Sequence, residues 1–420
     1  MKKFINLSVA FAAALMLAAC SSDEPGNGAP KDIPVSRSQM EALQTQNDFS
    51  FRLLGSVLEH VRLDNTKEDK SVVISPMNVS MDLCMIASGT NEDNAREIYD
   101  AFGFDGMTAD DVAEANREIM RRLPSLDNKT KVNIANSVWV DSESGVYKSF
   151  TNQCAGQYGA DIFKMKLSTV DCMNKMNSWC AKQTFGFIPN AFEIPLSPET
   201  KISFVNAVYF KGEWADKFDR EDTKSEPFTN YDGTQKTVAM MHNSKCFAYR
   251  EGAGAKAVTL EYGNGAYAMT LVLPDESLDI YDYIESFSMD KFNDMDVAVD
   301  KNGNKPLVKL GLPRFSVFIK EPMNGPISKL GISGIFSNGA LDRIADSPVS
   351  VGGICQKALI EVNEEGTTAA AVTGNIYGAN IEKLDIVNLT FDRPFFYWIS
   401  ERSTGAILFT GAVVNLDYVR

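Results

Sequence analysis

The chain offers little to an acid–base or nucleophilic mechanism. It contains only two histidines, His60 and His242, in 420 residues, and a Ser/His or Cys/His pair would have to be built on one of them. His60 falls within an amphipathic helical pattern and His242 follows Met240-Met241 at a strand end; both read as surface or packing positions. There is no Gly-x-Ser-x-Gly elbow, no phosphate-binding glycine loop and no Cys/His cluster at metal-ligand spacing. Asp300-Lys301-Asn302-Gly303-Asn304 loosely resembles a calcium loop, but the position that must supply a bidentate glutamate is Gly311. The segment reads as a hairpin turn. We expect no enzyme, no cofactor and no metal.

What the chain does carry is a stretch suited to a mechanical role, Glu364-Glu365-Gly366-Thr367-Thr368-Ala369-Ala370-Ala371-Val372-Thr373-Gly374. Between its glycines no side chain exceeds valine in size. A helix here would have no bulky face to bury, and Gly, Thr and Val all cost relative to Ala in a helix interior. As a strand, Thr367, Ala369, Ala371 and Thr373 share one face, small enough to slip between strands already in place. Residues 375–389 are polar, contain glycine and lack helical periodicity, so they read as an exposed loop. The proposal from sequence is a loop whose first half is built to become a strand.

Elements elsewhere must receive it. Residues 41–62 repeat Phe49, Leu53, Val57 and Val61 at every fourth position, predicting one amphipathic helix. Residues 71–76 form a short strand stopped by Pro76, and 78–88 a very apolar helix. Further helices are expected over 91–102, over 108–123 with Thr108 as N-cap, and over 168–183 carrying Val170, Met173, Met176 and Cys180. Residues 131–140 read as a strand. Residues 201–210 are almost continuously hydrophobic, so that strand should be central and covered on both faces. Strands then crowd the second half, at 237–241, 257–260, 266–273, 307–310, 315–318, 395–400 and 406–413. Helices early and strands late, without βαβ alternation, indicate an α+β fold in a single domain over residues 39–420.

Composition is consistent with a sizeable core, at 44% hydrophobic residues, and the formal charge of -14 argues against a nucleic-acid partner. Residues 1–20 read as an export signal: Lys2 and Lys3, an apolar run, then Leu17-Ala18-Ala19-Cys20, which resembles a bacterial lipobox with Cys20 as the lipidated residue. Residues 21–38 follow as a flexible tether. An outer-membrane lipoprotein, periplasmic or surface-exposed, is expected, touching the membrane only through its lipid. The remaining cysteines, Cys84, Cys154, Cys172, Cys180, Cys246 and Cys355, are scattered and mostly in apolar stretches, which favours buried free thiols over disulfides.

Four stretches in order along the chain resemble the serpin family. Ser75-Pro76 is similar to the start of the shutter beneath the family's central sheet. Asn206-Ala207-Val208-Tyr209-Phe210-Lys211-Gly212-Glu213-Trp214 resembles the central-sheet strand and turn where the mobile loop begins to insert. Glu364 to Thr373 is similar to the loop's proximal hinge, and Leu389-Thr390-Phe391-Asp392-Arg393-Pro394-Phe395-Phe396-Tyr397-Trp398-Ile399 resembles the C-terminal signature. The chain departs from the pattern at Asn78, where the shutter has serine, at Gln356, where it has histidine, and at Thr368, where the hinge has glutamate. Amides can replace hydroxyl and imidazole as hydrogen-bonding groups, so a rewired shutter of Ser75, Asn78, Asn206 and Gln356 is expected, with Trp214 at the point of insertion.

The resemblance implies helices packed around three β-sheets with an exposed reactive-centre loop. It also implies a monomeric suicide inhibitor that traps a serine or cysteine endopeptidase. Family spacing from Gly366 places the reactive bond at Asn380-Ile381, with Tyr377 and Ala379 as alternative bait residues. The rival reading keeps the fold and makes the protein a non-inhibitory binding protein of the cell envelope. The small-residue hinge, Gly366 to Thr373, weighs against it.

Overall fold

The computed structural model describes residues 28–63, 70–103, 109–299, 303–366 and 385–416. Three sheets organise them. The central sheet runs β12 (Phe315–Pro322), β13 (Ile354–Val362), β4 (Ile202–Gly212), β2 (Thr130–Asp141) and β3 (Asp161–Met165). A seven-stranded sheet runs β1 (Val72–Ile74), β16 (Ile407–Val413), β15 (Phe395–Glu401), β9 (Tyr267–Pro274), β8 (Ala255–Tyr262), β7 (Ala248–Gly252) and β10 (Asp296–Val297). A four-stranded sheet runs β14 (Ile386–Thr390), β11 (Leu307–Pro313), β6 (Gln235–Lys245) and β5 (Lys224–Thr229). The helices are α1 (Arg37–Leu63), α2 (Pro76–Gly89), α3 (Glu92–Phe102), α4 (Ala109–Arg122), α5 (Lys148–Tyr158), α6 (Val170–Gln183), α7 (Ile280–Glu285), α8 (Met289–Asn293) and α9 (Asn324–Lys329).

The apolar strand at residues 201–210 is β4, and it is covered on both faces as its composition requires. Phe204, Val208 and Phe210 join the main core, whereas Val205 and Ala207 pack with Met176, Trp179 and Cys180 of α6. Helix α2 lies beneath the inner face, buried along almost its whole length. Four of the cysteines are buried free thiols, Cys355 is half-buried, and Cys246 is exposed. Ile33, within the expected tether, is buried, and its N–H donates to Ser403 Oγ at 2.9 Å. The chain is thus already seated on the domain before α1 begins.

Several expectations need correction. Residues 386–389, read as the end of an exposed loop, belong instead to β14, an edge strand parallel to β11. The strands flanking residues 300–304 pair in different sheets, β10 with β7 and β11 with β6, so no hairpin is made there. Val170 is 57% exposed at the start of α6, which begins at Val170 rather than 168, with Thr169 capping it by accepting from the Cys172 N–H. Strand β13 escaped the pattern because Gln356 and Lys357 are adjacent, polar and both buried, which breaks a period of two. Thr108 lies outside the described residues.

The seven-stranded sheet leaves no room at Gly411, which faces Val73 on β1 and Tyr397 on β15. A Cβ there would come within 2.4 Å of the Val72 carbonyl oxygen and 2.5 Å of the Tyr397 hydroxyl. Gly411→Ala should therefore cost about 1–3 kcal/mol of overpacking, seen as a lowered midpoint of thermal unfolding.

Candidate functional site

The chain leaves β13 through a tight turn. Asn363 N–H donates to the Gly366 carbonyl at 2.9 Å and Gly366 N–H to the Asn363 carbonyl at 3.1 Å, and the Asn363 side chain accepts from the Glu365 N–H at 3.0 Å. Such a reciprocal pair around two residues is a hairpin turn. Gly366 consequently sits antiparallel to Asn363 and also bridges Glu213, just past the end of β4. Its φ of +128° and the crowding around it demand glycine, since a Cβ would lie 2.2 Å from the Gly212 carbonyl oxygen.

Both turn carboxylates are buried and held by cations. Glu364 accepts from Arg314 Nε at both oxygens, at 2.8 and 2.9 Å, and from Thr223 Oγ1 at 2.6 Å. Burial works against its charge, but the Arg314 and Thr223 hydrogen bonds outweigh burial and hold the carboxyl below its ordinary value. Glu365 lies 3.4 Å from both Lys217 Nζ and Arg220 Nη2. Trp214 completes the seat: its ring stacks on Tyr262 at 4.3 Å, its indole N–H donates to the Asn363 carbonyl at 2.9 Å, and its backbone N–H donates to the Glu365 carbonyl at 2.9 Å.

The two strands either side of this turn, β13 and β4, are parallel neighbours, yet their ladder covers only Ile354 with Phe204 and Cys355 with Val205. Beneath that short ladder α2 is tied to both strands. Gln356 of β13 accepts from the Ser75 N–H at 2.9 Å and donates to the Ser75 carbonyl at 2.8 Å. Asn206 of β4 donates to Asn136 Oδ1 at 2.7 Å and to Asp82 Oδ1 at 3.2 Å. Ser75, Asn78 and Asp82 recur at helical spacing on the face of α2 that meets the sheet. The Ser75 hydroxyl, both polar atoms of the Asn78 amide and Asp82 Oδ2 are buried without a hydrogen-bond partner.

The structure thus brings Ser75 and Gln356 into direct contact, places Asn206 beside them through Asp82, and sets Trp214 on the hinge turn with Glu364, Glu365 and Gly366. Asn78 is on the same face but bonds to none of them. Cys20, the hinge residues Thr367, Thr368, Ala369, Ala370, Ala371 and Thr373, the bait residues Tyr377, Ala379 and Asn380, and Ile381 lie outside the described residues. Sequence reasoning missed Asp82, Asn136 and the cations Arg314, Lys217 and Arg220. The one signal available for Asp82 was an acid inside an otherwise apolar helix. His242 is paired with Glu226 at 2.9 Å, and His60 packs against Gly325. Among the described residues no cluster of His, Cys, Asp or Glu could hold a metal.

Comparison with known proteins agrees with this geometry. The family model described as Serpin (serine protease inhibitor) matches residues 44–416. A serine protease inhibitor of Cyanea capillata is 33% identical over 359 residues, covering 83% of this chain and 93% of the relative. The leukocyte elastase inhibitor of Homo sapiens is 29% identical over 353 residues, covering 81% and 92%. The native state of tengpin, a thermophilic serpin, superposes with a TM-score of 0.79 at 24% identity, over 93% of this chain and 97% of that one.

The Glu364 clamp generates a pH prediction. A carboxyl held below its ordinary value adds stability that is complete above the ordinary carboxylate range and is lost as pH falls through the depressed value. Acidification through that range should release the hinge turn, read as a change in Trp214 fluorescence. Glu364→Ala should show the released signal at neutral pH, at a cost of about 2 kcal/mol; that is below the value for a fully buried pair because Arg314 stays within reach of water.

Proposed function

This chain belongs to the serpin family, and we propose that it is a suicide inhibitor that traps a serine or cysteine endopeptidase as an acyl-enzyme. The observation that carries this reading is the turn at residues 363–366, which reverses the chain and seats Gly366 between Asn363 and Glu213 at the mouth of the gap between β13 and β4. In the mechanism, the protease nucleophile adds to the carbonyl of the bait residue, the peptide bond breaks, and the new amine leaves with the proton delivered by the protease's general acid. The freed segment then enters the central sheet as an antiparallel strand, a form of strand addition for which serpin loops are themselves a known case.

Extending the register of the two Gly366 bridges predicts the product. Thr367 falls opposite Gly212, Ala369 opposite Phe210, Ala371 opposite Val208, and Thr373 opposite both Asn206 and Gln356. Opposed residues share a face, so the small side chains point inward, as insertion requires. Thr373 would bring a hydroxyl to a region where buried polar atoms lack partners.

Roughly a dozen new ladder bonds at about 0.5–1.5 kcal/mol each give a driving force on the order of 10 kcal/mol. About fourteen residues at ~3.3 Å carry the tethered protease some 45 Å. Dragging it that far distorts an oxyanion hole whose donors must be held in place for deacylation. Insertion must then outrun deacylation, and the uncut protein must be kinetically trapped.

Asn380-Ile381 is the reactive bond favoured by spacing; Tyr377 or Ala379 as bait would shorten the inserting strand. The export signal and Cys20 support display of a monomer on the outer membrane. Incubating the form lacking residues through Cys20 with elastase-, subtilisin-, trypsin- and papain-like proteases should yield a covalent complex that survives boiling in detergent, with the cut located by mass spectrometry. Cleavage without trapping by every protease would replace the inhibitor with a binding protein. Thr367→Arg, which places a charge at the first inward position, should convert trapping into simple cleavage.

A further inference from the structure

Asp82, the one acid in α2, is fully buried, and its hydrogen bond from Asn206 crosses from α2 to β4. Gln356 ties the start of the same helix to β13. Helix α2 therefore holds both strands that must part, and Asp82 is the ionisable member of that contact.

Among the described residues no lysine or arginine acts on its carboxyl; in the wider cluster the cation Arg343 acts on Tyr99. On α2 the neighbour of Asp82 is Cys84 and on α5 Cys154, thiols that burial pushes upward. Tyr158 of α5, Asp110 of α4 and Tyr99 of α3 are the next titratable groups, interacting with Cys84. The strands present the neutral amides Asn136, Asn206 and Gln356. Buried polar groups on the other packed elements, Gln46 and Ser50 of α1 and Thr410 of β16, are also neutral. A protonated carboxyl offers a hydroxyl donor, and the acceptor oxygens of Asn78 and Asn206 lack one. The region also holds unpartnered donors in the Asn78 and Asn136 amides and the Ser75 hydroxyl; a carboxylate could only accept from such groups, whereas the neutral acid both donates and accepts.

We propose that Asp82 is a proton-operated latch on the central sheet: neutral, it keeps α2 on β4 and the sheet closed; on opening, water reaches the carboxyl and takes the proton. The latch regulates the insertion step and so rests on the inhibitor reading above. In the closed sheet burial pushes this carboxyl up to about 8, against the pull of the Asn206 hydrogen bond. In an opened, hydrated sheet it returns to about 4. Between those values the closed form holds one proton more, so its advantage is intact below the window, falls as pH rises across it and is gone above it.

The test follows the uncut full chain in mild detergent under gentle heating, reading tryptophan fluorescence for loss of the native form. Wild type should convert at least about tenfold faster at pH 8 than at pH 6 and level off above, whereas Asp82→Asn and Asp82→Ala should vary less than about twofold. A flat wild-type profile, or variants that keep the wild-type slope, would overturn the latch. Infrared spectroscopy at pH 6 gives a second readout: the carbonyl stretch of a buried protonated carboxyl should be present in wild type and absent from Asp82→Asn, and its absence from wild type would also sink the proposal. The product separates the two readings. A form more heat-resistant than the starting protein supports loop insertion; an unfolded product defeats insertion, while the pH profile still decides for or against Asp82.

Discussion

Everything in this molecule depends on two parallel strands that lie side by side and are barely joined. β4 and β13 share a ladder of two residue pairs at one end and meet again only through Gly366 at the other. Between those points, residues 206–212 and 356–362 carry no ladder pair with each other. Backbone groups in a sheet are strongly driven to pair, so a strand inserted here gains bonds on both sides at once. On the proposed mechanism the gap is a store of unmade hydrogen bonds.

Two polar clamps act on it from opposite ends. At the top, Arg314, Lys217, Arg220 and Trp214 fix the turn at residues 363–366. Beneath, α2 grips β13 through Gln356 and β4 through Asn206. The clamps differ in kind. The upper one is a set of charge pairs in which Arg314 keeps the Glu364 carboxylate ionised; the lower one is amides around a buried carboxyl, which favours the neutral form. Protons therefore weaken the first and strengthen the second. The amide at residue 356 replaces an imidazole without loss of bonding capacity, because it donates and accepts at once to a single backbone residue.

Much of this was legible in the sequence wherever the physics is local. The hydrophobic run of β4 declared a strand covered on both faces, and the four-residue spacing of Phe49, Leu53, Val57 and Val61 declared α1. What stayed hidden depends on distant partners. β13 looked mixed because Gln356 and Lys357 are buried for different reasons, one bonded to Ser75 and the other over the Phe192 ring at 3.9 Å. β14 looked like loop because an edge strand needs little apolar surface. Arg314 and Glu364 are fifty positions apart, and nothing in the local pattern of either announces the other.

The central claim is that the intact protein is a trapped state whose loop gains by entering the sheet. Cutting the chain once between residues 375 and 384 and comparing the heat resistance of cut and intact protein tests it most directly. If the account is right, the nicked protein survives to a clearly higher temperature than the intact one, because the freed strand completes the ladder between β4 and β13. Equal or lower heat resistance after the cut would contradict it.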